Sequence, residues 1–180
     1  MIPMPEPIPP GYVQLRRLVL ADANFIAQWL HDPQTSWYMV LARTAPSAQR
    51  WVAELADAWP RHVAMAVTTV DERDPIGVVG LWDIDWLARK AEFRIVLGYY
   101  RQRGIGTEAT RLMLTYGFRA LDLHRIWLGT AADNTAARRC FEKAGFREEG
   151  ILREDFLAPD GRRVDNVRYG LLKTEWATAP

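Results

Sequence analysis

The stretch that most limits how this chain can fold is Leu97–Ala109, LGYYRQRGIGTEA. An extended apolar run, Phe93-Arg94-Ile95-Val96-Leu97, leads into a basic turn, Arg101-Gln102-Arg103. Gly104 and Gly106 then open a segment whose apolar residues recur at helical spacing. A strand, a tight turn and a helix N-terminus in that order call for a fold that packs helices on a sheet. Glycine lets the backbone approach a bound group, and the free N–H groups of a first helical turn converge where the dipole favours negative charge. A pyrophosphate fits such a turn, with Arg101 and Arg103 at its rim and the Thr107 hydroxyl beside it. The alternative reading is a glycine-shaped turn with solvated arginines.

Two phosphate motifs do not match. Gly104–Ala109 reads G-x-G-x-x-A, but a dinucleotide fold needs an acidic residue closing the next strand, and Arg125–Thr130 closes without one. Only one β-α-β unit is visible, and there is no G-K followed by Ser or Thr for a nucleoside triphosphate.

At 180 residues, 25% of them charged, the chain reads as one folded domain over 11–180 behind a flexible, proline-rich leader at 1–10. Acidic and basic residues are interleaved to a net charge of +1, which gives no electrostatic case for nucleic acid. Cys140 is the only cysteine, so no intramolecular disulfide forms, and no apolar run approaches the roughly 20 residues of a membrane span. A cytoplasmic protein with no membrane partner is expected.

The periodicities place a strand at Val13-Gln14-Leu15, a helix capped by Asp22 and stopped by Pro33, and a second helix from about Ser47 to Pro60. His62–Val70 and Ile76–Asp85 form an antiparallel hairpin, and Lys90–Leu97 feeds the glycine turn. A helix follows from Gly106 to about Leu121, then a strand at Arg125–Thr130 and a helix from Asn134 to Ala144 closed by Gly145. Two long runs, Arg147–Leu157 and Arg163–Leu172, meet at Pro159-Asp160-Gly161, which is turn chemistry. The expected fold class is α/β, with a mixed, mostly antiparallel central sheet.

Arg101-Gln102-Arg103-Gly104-Ile105-Gly106 resembles the (Q/R)-x-x-G-x-(G/A) pyrophosphate loop of the GNAT superfamily of N-acetyltransferases. Asn134–Phe146, NTAARRCFEKAGF, is similar to that family's second signature, N-x-x-A-x-x-x-(Y/F)-E-K-x-G-F, and the two stand in the family's order. Ile76-Gly77, Asp83-Ile84-Asp85, Ala91-Glu92-Phe93, Gly150–Phe156 and Asp165 extend the likeness to the branch of ribosomal-protein N-terminal and spermidine acetyltransferases. The resemblance implies about four helices around a sheet splayed between its fourth and fifth strands, with acetyl-CoA as cofactor. Ile95, Val96 and Leu97 would pair with its pantetheine, residues Arg101 to Thr107, Ile105 among them, would hold its pyrophosphate, and Asn134, Arg138, Phe141 and Lys143 would lie beside it. As an N-cap, Asn134 has a structural role as well.

The reaction implied is acetyl transfer from a thioester to a primary amine. It needs an uncharged amine, a polarised carbonyl and a proton for the leaving thiolate. Glu92 is the candidate base, on the face it shares with Arg94 and Val96; a surface charge paired with Arg94 or Lys90 is the alternative. A backbone N–H near Leu97 would bind the thioester oxygen. Phe141 stands where many relatives carry an acidic tyrosine, which leaves Cys140 as a weak candidate acid beside solvent. Asp83, Asp85, Glu92, Glu154 and Asp155 are candidates for an acidic acceptor mouth walled by Trp29, Trp37, Trp82 and Trp86. The acceptor is a peptide N-terminus, a polyamine or a small-molecule amine, and no metal set is apparent. A non-catalytic acyl-CoA-binding module is the competing class, and an exposed edge or hairpin is suited to a homodimer.

Overall fold

The computed structural model describes residues 12–31, 47–70, 73–98, 104–158 and 160–177. The leader, Trp37 and Arg101 to Arg103 lie outside them. Seven strands alternate with helices: β1 (Val13–Arg17), α1 (Ala23–His31), α2 (Ala48–Ala56), β2 (Val63–Thr69), β3 (Gly77–Asp85), β4 (Lys90–Leu97), α3 (Ile105–Thr115), β5 (Arg125–Ala131), α4 (Thr135–Ala144), β6 (Arg147–Leu157), β7 (Arg163–Leu172) and α5 (Lys173–Ala177). The strands form one sheet in the order β1-β2-β3-β4-β5-β7-β6. All neighbours run antiparallel except β4 and β5.

That parallel pair is joined only where Lys90, Ala91 and Glu92 meet Arg125, Ile126 and Trp127. Beyond Glu92, β4 stays with β3 as far as Leu97, while β5 is held by β7 along its whole length. The two halves of the sheet therefore diverge, as the resemblance implies.

The pleat sends alternate residues to opposite faces. On one face Val63, Met65, Leu81, Phe93, Leu128 and Tyr169 pack with α3 and α4 into the larger core. On the other, Ala64, Ala66, Val78 and Trp82 pack against Ile26, Trp29, Val52 and Leu55 of α1 and α2. A buried ion pair pins the entry to α1. Both oxygens of Asp22, which is 3% exposed, accept from Arg16 at 2.8 Å, and Oδ2 also accepts the Val19 N–H at 2.9 Å.

Several boundaries differ from the sequence reading for local reasons. Ser47 caps α2 by accepting the Arg50 N–H at 3.2 Å, but the helix stops at Ala56, where Asp57 leaves helical geometry. The helix expected to reach Leu121 is α-helical only to Thr115 and widens into a π turn over Tyr116–Ala120. The five-residue α5 is too short for a periodic signal. Its Trp176 packs 5.4 Å from the Phe118 ring, and Glu175 accepts the Leu172 N–H at 3.0 Å. The bounds of β4, β6 and β7 match the runs read from the sequence. Among the described residues no helix is long and apolar enough to cross a membrane.

Candidate active site

Where β4 leaves β5, a cavity of about 520 Å³ opens through the sheet. Ile95, Leu128, Thr130, Asn134 and Phe141 line it on the side of α3 and α4. Trp51, Trp82, Glu92, Trp127, Asn166 and Arg168 line it on the opposite face. The passage thus has two mouths of different composition, with the end of the β4/β5 ladder between them.

The first mouth leads toward the start of α3. Gly104 holds φ +76°, and the helix begins with no side-chain cap, its first bond running from the Glu108 N–H to the Gly104 carbonyl at 3.0 Å. The N–H groups of the first turn are left for an outside acceptor. A Cβ at Gly106 would lie 3.3 Å from both Cys140 Sγ and Leu97 Cδ1, so any larger side chain here must displace those two neighbours. Glu108, acidic in the first turn, accepts the Val13 N–H at 3.2 Å and ties β1 to the helix. Asn134 caps α4 by accepting the Ala137 N–H at 3.2 Å and also lines the cavity. Converging backbone donors, a strand edge on β4 and an amide beside it suit a diphosphate followed by an extended, amide-bearing chain.

At the second mouth Glu92, Arg94 and Val96 share a face. Arg94 Nη2 donates to Glu92 Oε2 at 2.6 Å, and the guanidinium lies 5.5 Å from the Trp82 ring centre. Glu92 thus has both features weighed from sequence, a place in the cleft and a pairing with Arg94. Trp82 is its register partner on β3 and Trp127 its partner on β5.

Residues 13–147 match the acetyltransferase (GNAT) domain family. The chain is a GNAT acetyltransferase. It is 31% identical to spermidine N(1)-acetyltransferase of Escherichia coli K12, over 91% of this chain and 88% of that protein. It is 30% identical to the candidate ribosomal N-acetyltransferase YdaF of Bacillus subtilis 168, over 92% and 93%. Among solved structures, the Vibrio cholerae spermidine N-acetyltransferase in complex with CoA and spermine superposes with a TM-score of 0.81 at 27% identity. That match covers 93% of this chain and 99% of the other. This GNAT enzyme is therefore an acetyl-CoA-dependent amine N-acetyltransferase.

Several residues singled out from the sequence lie elsewhere in this GNAT fold. Cys140 does not line the cavity. Its Sγ packs under the glycine turn, 3.6 Å from Thr107 Oγ1 and 3.9 Å from Thr110 Oγ1. Arg138 reaches the Tyr169 hydroxyl at 3.1 Å and Glu148 at 3.2 Å. The Lys143 carbonyl accepts from Arg111 at 2.8 Å, and its side chain is not in the wall. Asp83 is exposed and paired with Arg61 at 3.3 Å, while its N–H donates to His62 Nδ1 at 2.9 Å. Burial holds the His62 imidazole below its ordinary pKa, against the pull of Asp83 and with the help of Arg61 and Arg94. Asp85 caps the next turn through the Ala88 N–H at 2.8 Å. Asp155 is exposed and accepts from Asn166 Nδ2 at 2.8 Å. The acidic mouth expected from these carboxylates is not assembled among the described residues, because each serves a turn or a neighbour.

Of the expected tryptophan walls, Trp82 is in place, Trp29 is core, and Trp86 packs on Trp59 and donates to the Pro60 carbonyl at 3.1 Å. Trp127, Arg168 and Asn166 were not singled out from the sequence. They reach the site through strand register: Glu92 faces Trp127, Trp127 faces Gly170, and Gly129 faces Arg168.

Proposed function

We propose that acetyl transfer takes place at the end of the β4/β5 ladder, to an acceptor that presents a single primary amine, such as a peptide N-terminus. The observation that carries this reading is the charge of the second mouth. Among the described residues Glu92 is the only carboxylate in the wall, and Arg94 already engages its Oε2. A polyamine needs several carboxylates converging on it, whereas one amine needs one.

In this reading the first turn of α3, from Gly104 to Thr107 with the preceding Arg101-Gln102-Arg103, holds the diphosphate, and Ile95, Val96 and Leu97 offer backbone to the pantetheine. Bound acetyl-CoA supplies an activated acyl group. Glu92, fixed by Arg94, accepts a proton from the attacking amine directly or through one water. A β4 backbone N–H near Leu97 stabilises the charge that develops on the carbonyl oxygen. Phe141 has no proton to give, and the departing thiolate takes one from solvent.

The likeness to the spermidine enzymes favours a second reading, acetylation of a polyamine. A coenzyme A thiol-release assay over free and N-blocked peptides, simple amines and spermidine separates the two. Release with free N-termini, and at least about tenfold lower kcat/KM with spermidine, is the expected result. Spermidine as the better acceptor establishes the second reading. Cofactor binding without release from any amine establishes a binding module instead. The outer strand β6 exposes Ile151, Leu152 and Leu157 along an unpaired edge, which suits a second copy of the chain; light scattering tests that.

A further inference from the structure

Among the described residues three charged side chains line the cavity: Glu92, Arg94 and Arg168. The first two neutralise each other across 2.6 Å. Arg168 has no ionic partner and no hydrogen-bonded one among the described residues. Its guanidinium lies 4.6 Å from the centre of the Trp127 ring, and Trp127 is the register partner of Glu92, so the free cation is folded back toward the place where the amine reacts.

The surroundings keep one flank of it open. The residues opposite Arg168 on both neighbouring strands are glycines, Gly129 on β5 and Gly150 on β6. A Cβ at Gly150 would touch nothing within 4 Å, whereas at Gly129 it would lie 2.7 Å from Asn166 Oδ1, so that flank is filled by an amide. Asn166, on the same face, extends the polar wall. Arg168 also stands on the sheet face away from α3 and α4, since its neighbours Val167 and Tyr169 are in the core on their side. It is therefore on the wrong side of the sheet to serve a diphosphate at the start of α3.

A half-buried guanidinium resting 4.6 Å from the centre of an indole ring, with its N–H fork uncommitted, open space at Gly150 on one flank and the Asn166 amide on the other, is a carboxylate receptor. We propose that Arg168 binds a carboxylate carried by the acceptor, which makes the acceptor an amine with an acidic group close to the reacting nitrogen. This rests on the second mouth being the acceptor side, as in the function proposed above. Two sources fit the chemistry: the α-carboxylate of a free amino acid, and an acidic side chain next to a peptide N-terminus.

The test reads binding first and turnover second. CoA-loaded protein is titrated calorimetrically with matched pairs, an amino acid against its amide and an Asp-containing peptide against its Asn counterpart. Wild type is expected to bind the acidic member of one pair at least about tenfold more tightly, and the pair that responds identifies the source. Arg168→Gln should reduce that preference to about twofold or less and Arg168→Lys should restore part of it, with coenzyme A affinity unchanged in both. Equal binding of both members of both pairs by wild type overturns the proposal without recourse to any variant. So does a preference that survives in Arg168→Gln. Acid-selective binding without thiol release from any amine would sustain Arg168 as an anion site and sink the transfer reading instead.

Discussion

Arg94 donates to Glu92 at 2.6 Å from the neighbouring position on the same face of β4, so the one carboxylate among the described residues of the second mouth is held by a cation on its own strand. Glu92→Gln keeps the shape and the contact with Arg94 but cannot take a proton. It should lower kcat by about 10²–10⁴-fold while leaving coenzyme A affinity within about twofold. Stopped-flow turnover with calorimetry on the same variant checks both halves, and wild-type kcat in Glu92→Gln removes Glu92 from the mechanism.

Gly106 gives a second prediction. With Cys140 Sγ and Leu97 Cδ1 each 3.3 Å from where a Cβ would sit, a branched side chain must push the turn away from α4 or from β4. Gly106→Val should weaken coenzyme A binding at least about tenfold, with a stability loss of about 1–3 kcal/mol. Calorimetric titration of coenzyme A alongside thermal unfolding reads the two separately.

The Asp22 carboxylate governs acid stability. Burial pushes its pKa up, but hydrogen bonds from Arg16 and Val19 and the charge of Arg16 outweigh that, and the net shift is downward. A carboxylate with a depressed folded pKa stabilises the fold above its unfolded pKa, and that contribution is lost as pH falls through the folded value. Asp22→Asn should cost about 2 kcal/mol at neutral pH, and the gap to wild type should close below about pH 4. Urea unfolding from pH 7 down to pH 2 measures it.

His62 works in the opposite sense. Its Nδ1 accepts the Asp83 N–H, which only the neutral ring can do, and burial keeps the folded pKa low. Protonation is then easier in the unfolded chain, so the contribution of His62 is present above about pH 6.5 and declines as pH falls toward the folded value. An imidazole titration followed by NMR should show His62 protonating below the range of a free histidine. The pH dependence of unfolding between about 5 and 7 should flatten in His62→Gln.

What the sequence made legible was whatever a local pattern encodes. Extended runs and turn residues delimit Lys90–Leu97, Arg147–Leu157 and Arg163–Leu172, and the caps Asn134 and Gly145 bracket α4. Gly104 and Gly106 mark the turn into α3 because backbone geometry leaves a direct trace in residue choice. The acceptor wall left no such trace. Trp127, Asn166 and Arg168 come together through the pairing of β4 with β5 and β5 with β7, a long-range register that no window of residues contains. Asp83, Asp85 and Asp155 likewise make local bonds visible only once the chain is folded.

The parting of β4 from β5 also sets the order of events. The cavity is lined from both faces of the sheet, so in the proposed reading donor and acceptor approach from different sides and neither must leave before the other arrives. Cys140, the only thiol, stands off that path, so the chain keeps no sulfur nucleophile in the passage to store an acyl group between visits. Double-reciprocal plots at several fixed amine concentrations should intersect, the signature of both partners bound together, and parallel lines would mean that the two sides are used in turn.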